Sequence, residues 1–189
     1  ADTITGPSAG GGFTYLRGGA GADTVIGSDV SDFFLFYAGD IEAGDKILGG
    51  SGFDVVVPDL DGTAHDLRLV EMSGIERMDL NSGGVASTVI LGGNQIGVAG
   101  GLTHIFGPGG SSAANVVVQG QAIDLSSVQL QNWIDGFDRI SLLGTNGADT
   151  LVGSSQSDTF IGGKKHDVFT GNAGNDIFDF NAINHTVKG

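Results

Sequence analysis

A nine-residue period constrains this chain more than any other feature. From Gly144 the sequence reads GTNGADTLV, GSSQSDTFI, GGKKHDVFT and GNAGNDIFD, with Gly first, Asp sixth and a bulky apolar residue eighth. The sixth-place series is Asp149, Asp158, Asp167 and Asp176, and the eighth-place series is Leu151, Phe160, Phe169 and Phe178. The same template opens at Gly18 with GGAGADTVI and continues at Gly27 with GSDVSDFFL. Phe36 to Gly39 then intervene before DIEAGDKIL from Asp40 and GGSGFDVVV from Gly49. The sixth places there are Asp23, Asp32, Asp45 and Asp54. The opening ADTITG reads as the tail of one more repeat with Asp2 in sixth place, so the expectation is a boundary cut inside a longer array.

The spacing implies a fold and a chemistry. In each block six polar or Gly residues make a turn and three apolar-patterned residues make a short strand. Two blocks, about 18 residues, close one coil of a flattened right-handed roll, so the expected class is an all-β parallel β-roll or β-solenoid. Stacking the coils sets the sixth-place Asp of one block beside that of the block two further on. Two carboxylates with several turn carbonyls form a site of about six or seven oxygens, which suits Ca²⁺ better than Mg²⁺ or zinc. Glycine is expected where a turn takes a positive φ and where backbones approach the ion. The candidates are Gly18, Gly19, Gly21, Gly27, Gly49, Gly50, Gly52, Gly144, Gly147, Gly153, Gly162, Gly163, Gly171 and Gly174. The eighth-place side chain is expected to point inward and build a thin core.

Composition supports this and removes other classes. Glycine supplies 35 of 189 residues, and the acids outnumber Lys and Arg 22 to 8, a formal charge of −14. All but Glu42, Glu71 and Glu76 among those acids are Asp, the residue of turns and oxygen-ligand sites. The negative charge argues against nucleic acid and anionic membrane as partners. No apolar run is long enough to span a bilayer, so no membrane insertion is expected. The first residues lack the basic and apolar regions of a secretory signal. The absence of Cys excludes disulfides, thiolate zinc sites and Cys nucleophiles.

The repeats resemble those of the RTX family, the glycine-rich nonapeptide proteins of Gram-negative type I secretion. The resemblance covers roughly residues 18–57 and 144–180. It implies same-side calcium pairs: Asp149 with Asp167, Asp158 with Asp176, Asp23 with Asp45, and Asp32 with Asp54. The last two pairs span 22 residues because Phe36–Gly39 is expected to bulge from the roll. Weaker pairs are Asp2 with Asp23 and Asp138 with Asp158. Lys164, Lys165 and His166 depart from the third to fifth places of their block, and Asp40 replaces a first-place Gly. Asp59 and Asp61 fall outside the phase and are expected to be dispensable.

Residues 58–143 lack the nonapeptide but keep its β character. Short runs such as Leu67–Val70, Met78–Leu80, Val89–Leu91, Leu102–Phe106 and Val116–Val118 read as strands between glycine-rich turns. GIERMDL at 74–80 and GFDRISL at 136–142 repeat one pattern, setting Glu76 and Asp138 where a turn meets a strand. Ser126–Ile134 fits a short helix or a strand. The expected organisation is one solenoid domain over 1–189: an array to 57, a middle to 143 with longer, mostly metal-free turns, a second array to 180 and a tail over 181–189.

Competing motifs are weak. GPSAG at 6–10 matches a nucleophile elbow, but Gly11 and Gly12 follow where a helix is required. The His residues at 65, 104, 166 and 185 form no H-x-x-x-H pair. Trp133 is expected in the core, and Lys164–Lys165 in a solvated turn bridging to nearby Asp. No base–nucleophile or paired-carboxylate motif stands apart from the calcium pattern, so no enzyme is expected in this chain. The resemblance implies a secreted or cell-surface module of an adhesin or surface-layer protein. Its partners would be calcium and a peptide or carbohydrate ligand, with an export address beyond Gly189. The alternative is a folding and secretion appendage of a secreted protease, lipase or epimerase. The long non-repeat middle favours the first.

Overall fold

The computed structural model describes residues 1–7, 14–37, 39–59, 62–80, 86–110, 112–180 and 186–188. Short strands, most of three to six residues, succeed one another along the chain as the Gly-punctuated sequence requires. The first two coils carry β1 (Thr3–Thr5) with β2 (Thr14–Leu16), and β3 (Thr24–Ile26) with β4 (Asp32–Phe36). Next come β5 (Lys46–Leu48), β6 (Val55–Pro58) and β7 (Ala64–Asp66), then β8 (Glu71–Ser73), β9 (Arg77–Asp79) and β10 (Ser87–Gly92). A fifth coil holds β11 (His104–Phe106) and β12 (Ala114–Gln119), and a sixth holds β13 (Ala122–Asp124), β14 (Gln129–Gln131) and β15 (Arg139–Leu143). The last are β16 (Thr150–Val152) with β17 (Asp158–Ile161) and β18 (Val168–Thr170) with β19 (Ile177–Asp179), followed by β20 (Thr186–Lys188).

Every strand pairing among the described residues is parallel, and together they make a β-solenoid of about 8 turns. Four sheets run along it: sheet I (β1-β3-β5-β8), sheet II (β2-β4-β6-β9-β11-β14), sheet III (β7-β10-β12-β15-β17-β19) and sheet IV (β13-β16-β18-β20). The N-terminal coils shuttle between sheets I and II, and the C-terminal coils between sheets III and IV. Several middle coils instead place three strands in three sheets. The tail segment Thr186–Lys188 joins sheet IV through β18.

The core is the column of eighth-place residues. Phe34, Ile47, Val56, Leu151, Phe160 and Phe169 are fully buried, Val25 nearly so, and Phe178 packs against them partly buried. The Phe160 and Phe178 rings stack at 4.8 Å, and Phe160 meets Phe169 at 5.7 Å, so successive coils touch through aromatic faces. Met78, Val89, Leu91, Ile105, Val116, Val118, Ile140 and Leu142 continue the column through the middle.

Two expectations change and one open alternative is resolved. The run at Leu67–Val70 is a 3₁₀ turn over Leu67–Leu69, not a strand. The Asp66 carboxylate accepts from the Arg68 N–H and starts the turn. The buried Gln95 side chain donates to Leu67 O and Val70 O, which fixes the corner. Within Ser126–Ile134 the structured element is the strand β14. Finally, Phe36 does not bulge: it ends β4 with its side chain in the core, and the inserted turn begins at Tyr37. That turn is held by Arg17, which pairs with both oxygens of buried Asp40 at 2.7 and 3.0 Å and lies over the Tyr37 ring at 4.3 Å. Asp40, in place of the first-place Gly, thus has a guanidinium partner.

Candidate metal centre

The sixth-place aspartates form hydrogen-bonded ladders down the stacked turns. The Asp23 N–H donates to Asp45 Oδ1 at 2.8 Å, and the Asp32 N–H to Asp54 Oδ1 at 2.8 Å. In the second array the Asp149 N–H donates to Asp167 Oδ1 at 2.9 Å and the Asp158 N–H to Asp176 Oδ1 at 3.0 Å. The Asp2 N–H donates to Asp23 Oδ1 at 2.6 Å, so Asp2 and Asp23 are also neighbours. Parallel register sets each such backbone beneath the carboxylate of the next coil.

Three turns also close on their own carboxylates. The N–H of the second-place residue donates to the sixth-place Oδ2: Ser28 to Asp32 at 2.7 Å, Thr145 to Asp149 at 2.8 Å and Ser154 to Asp158 at 2.7 Å. The hydroxyls of Ser28, Thr145 and Ser154 add a second bond at 2.8–3.0 Å. This fold-back brings the carboxylate against the first-place Cα. A methyl on Gly49, Gly144 or Gly153 would lie 2.6 Å from the turn's own Oδ2, and one on Gly18 would lie 3.0 Å away. On Gly27 and Gly144 it would also strike the first-place carbonyl of the next coil, Gly49 O and Gly162 O. Gly162 and Gly171 are crowded by Asp167 and Asp176 in the same way. These first-place glycines carry no positive φ, and neither does Gly147; at the first place, space for oxygen is what requires Gly. Positive φ belongs to Gly19, Gly21, Gly50, Gly52, Gly163 and Gly174, and Lys165 and Asn172 share it. Lys164 and Lys165 are exposed, and the expected salt bridge is absent among the described residues.

Burial gives the ladders their chemistry. Asp23, Asp32, Asp45, Asp54, Asp138, Asp149, Asp158 and Asp167 are at most 3% exposed, while Asp176 is half-buried and Asp2 exposed. The terminal amine reaches Asp23 only at 3.8 Å. Asp23 Oδ2, Asp32 Oδ1 and Asp54 Oδ2 are buried without any hydrogen-bond partner. Such atoms carry their full desolvation cost unless something outside the chain meets them. Burial pushes the Asp158 carboxyl up to about 7, with Asp176 and Asp135 adding repulsion. Burial likewise lifts Asp54 to about 6, with Glu76 and Asp32 adding to it. Among the described residues no three Asp, Glu, His or Cys side chains converge. A cage here therefore draws two carboxylates from the ladder and the rest from turn carbonyls, an all-oxygen set that fits a hard, highly coordinated cation.

Two features escaped the sequence reading. WIDGFDRIS at 133–141 is a nonapeptide turn with Trp in first place: Ile134 N–H donates to Asp138 Oδ2 at 2.7 Å, as second-place residues do elsewhere. The Ala114 N–H donates to Asp138 Oδ1 at 2.9 Å. Across to the next coil, however, Ile140 rather than Asp138 stands opposite Asp158. The neighbour that reaches that turn is Asp135, which accepts from Ser157 N–H and Oγ at 2.8 Å each. Trp133 packs partly buried against the core. Thr14 is the second feature: it pairs with Asp32 in register and occupies a sixth place, with Leu16 buried in eighth. Thr for Asp hid that repeat. Ser8 to Gly10 of the GPSAG stretch, Gly11 and Gly12 after it, Asp61 and His185 lie outside the described residues.

A parallel solenoid of glycine turns with buried, stacked carboxylates defines a β-roll with oxygen-rich turns. Residues 8–40 and 143–178 match the model of the RTX calcium-binding nonapeptide repeat, in 4 copies. The chain therefore carries RTX repeats, which are calcium-binding, over a little more than a third of its length. No curated protein and no solved structure matches the chain. Asp45 and Asp54 lie beyond the matched segments, yet their turns keep the ladder geometry.

Proposed function

We propose that this chain is a calcium-folded extracellular module of a type I secreted RTX protein, serving as the ligand-binding segment of an adhesin or as a segment of a surface-layer protein. The observation that carries the calcium reading is the set of buried ladder carboxylates with unpartnered oxygens. The residues that would hold the ions are Asp23 with Asp45, Asp32 with Asp54, Asp149 with Asp167 and Asp158 with Asp176, together with turn carbonyls. Asp2 and Asp138 would hold them at the margins of the arrays. Bound calcium would supply the positive charge that the chain lacks. Half of the net charge of −14, about seven divalent ions, would neutralise it. Binding free energy is folding free energy in such sites, so the chain would stay open where calcium is scarce and close outside the cell.

The adhesin assignment is supported by the middle of the chain. Its coils leave the nonapeptide and recruit a third sheet, an investment that a pure folding appendage does not require. The repeat roll itself is a structural calcium-binding module, not a catalytic one. Far-UV circular dichroism of the whole chain in EDTA and in saturating calcium tests the proposal. Strand signal should appear only with calcium, and identical spectra would sink it. Glycan and peptide arrays probed with the calcium-loaded chain test the adhesin role, and silence on both would count against it.

A further inference from the structure

The turn stack that contains Gly27 and Gly49 does not stop where the nonapeptides stop. We propose that Asp54 and Glu76, with the carbonyls of the turns at Gly49 and Gly74, form one more divalent-cation site, a coil beyond the last nonapeptide. This rests on the reading that the ladders hold calcium. Register sets Val55 opposite Arg77 and so Asp54 opposite Glu76. The Asp54 N–H donates to Glu76 Oε2 at 2.8 Å, the same bond and length that the Asp32 N–H makes to Asp54. A methyl on Gly49 would strike Gly74 O and lie 2.6 Å from Asp54 Oδ2. A methyl on Gly27 meets Gly49 O and, at 2.9 Å, Asp32 Oδ2 in the same arrangement. Gly74 therefore stands as a first-place residue and Glu76 as a sixth-place one, on a turn shortened to Gly-Ile-Glu. The extra methylene of Glu restores reach that the shorter turn removes.

The cue that a ligand belongs here is Asp54 itself. It is fully buried, and its Oδ2, beside Gly74 O, has no hydrogen-bond partner. Neither Asp54 nor Glu76 is ion-paired to Lys or Arg among the described residues. The adjacent Arg77 turns away: its guanidinium reaches Asp79 at 3.4 Å and lies over the rings of Phe53 and Phe106 at 5.9 and 5.6 Å. One coil on, Thr103 takes the ladder position and donates to Glu76 O, so the row of acids ends at Glu76. Two carboxylates and backbone oxygens, with no nitrogen or sulfur, suit calcium.

The test counts ions in the whole chain by native mass spectrometry and calcium titration. With calcium chloride, Glu76→Gln should bind one ion fewer than the unaltered chain, and Asp59→Asn the same number. An unchanged count in Glu76→Gln overturns the proposal. Crystals of the unaltered chain grown in calcium give a second measurement that does not depend on how the variant folds. Anomalous density between Asp54 and Glu76 supports the site. Density between Asp32 and Asp54 with none at Glu76 overturns it while leaving the ladder reading intact. Density at neither overturns both.

Discussion

Replacing Asp158 by Asn separates a metal-ligating carboxylate from one that merely hydrogen-bonds. Asp158 is 1% exposed and accepts from the N–H and Oγ of Ser154, and its own N–H donates to Asp176. Raising its carboxyl from an ordinary 3.8 to about 7 means that ionising it without metal costs about 4 kcal/mol, at about 1.4 kcal/mol per tenfold. A cation that takes this charge must offset that cost, and the Asn variant leaves the facing Asp176 short of a partner. Loss of one partner of a buried charge pair costs about 3–5 kcal/mol. If about seven ions bind in one folding transition, 4 kcal/mol divided among them is about 0.6 kcal/mol each. The calcium midpoint should then rise about threefold.

Asp59→Asn removes the same charge outside the ladders and should shift the midpoint by no more than about a tenth, since such surface changes stay within about 0.5 kcal/mol. Calcium titration followed by circular dichroism reads both variants. Equal shifts would mean that total charge, not a phased site, governs folding, and the ladder argument would fail.

The pH dependence follows from the raised carboxyls. Asp158 at about 7 and Asp54 at about 6 hold protons in the metal-free fold that the unfolded chain has already released. Their contribution to metal-free stability is whole below about pH 4 and is lost as pH rises through about 6 to 7. Calcium folds a chain that has already released these protons, so the calcium midpoint should stay nearly flat between about pH 5 and 8 and rise as pH falls through about 4, where the unfolded carboxylates take up protons; a steep change between about pH 5 and 8 would contradict this. The glycine places also divide into two kinds. Gly144→Ala puts a methyl 2.6 Å from Asp149 Oδ2 and against Gly162 O, and should cost about 1–3 kcal/mol despite an ordinary φ. Gly19→Ala, at φ +88° in open space, should cost only about 1 kcal/mol, and urea unfolding in calcium checks the order.

The ladders and the inward column were legible because both follow from local phase. Once Asp is sixth and the apolar residue eighth, parallel stacking at fixed register does the rest, and Asp149 with Asp167 or Phe160 over Phe178 follows. The turns that keep the geometry without the letters were not legible. Trp133 in first place hid the nonapeptide phase of the turn read at Asp138, and Thr14 in sixth place hid the strand over Asp32. Leu67–Val70 reads as a strand by composition, but β7 has already ended at Asp66. That carboxylate and Gln95, from the next coil, decide the corner instead.

Coil length shows why the middle resisted. Asp32 and Asp54 are 22 residues apart, and so are Asp54 and Glu76. The first interval holds two strands with six-residue nonapeptide turns and the insert at Tyr37, clamped by Arg17 on Asp40. The second holds three strands, because the turn at Gly74 uses only Gly-Ile-Glu and releases residues to build β7. An interval of one length thus yields a two-sheet roll or a three-sheet coil, according to how many residues its turns consume. Turn consumption is set in turn by whether a carboxylate must fold back over its first-place glycine. The chemistry of the turn, rather than the hydrophobic pattern of the strands, selects the cross-section of the solenoid.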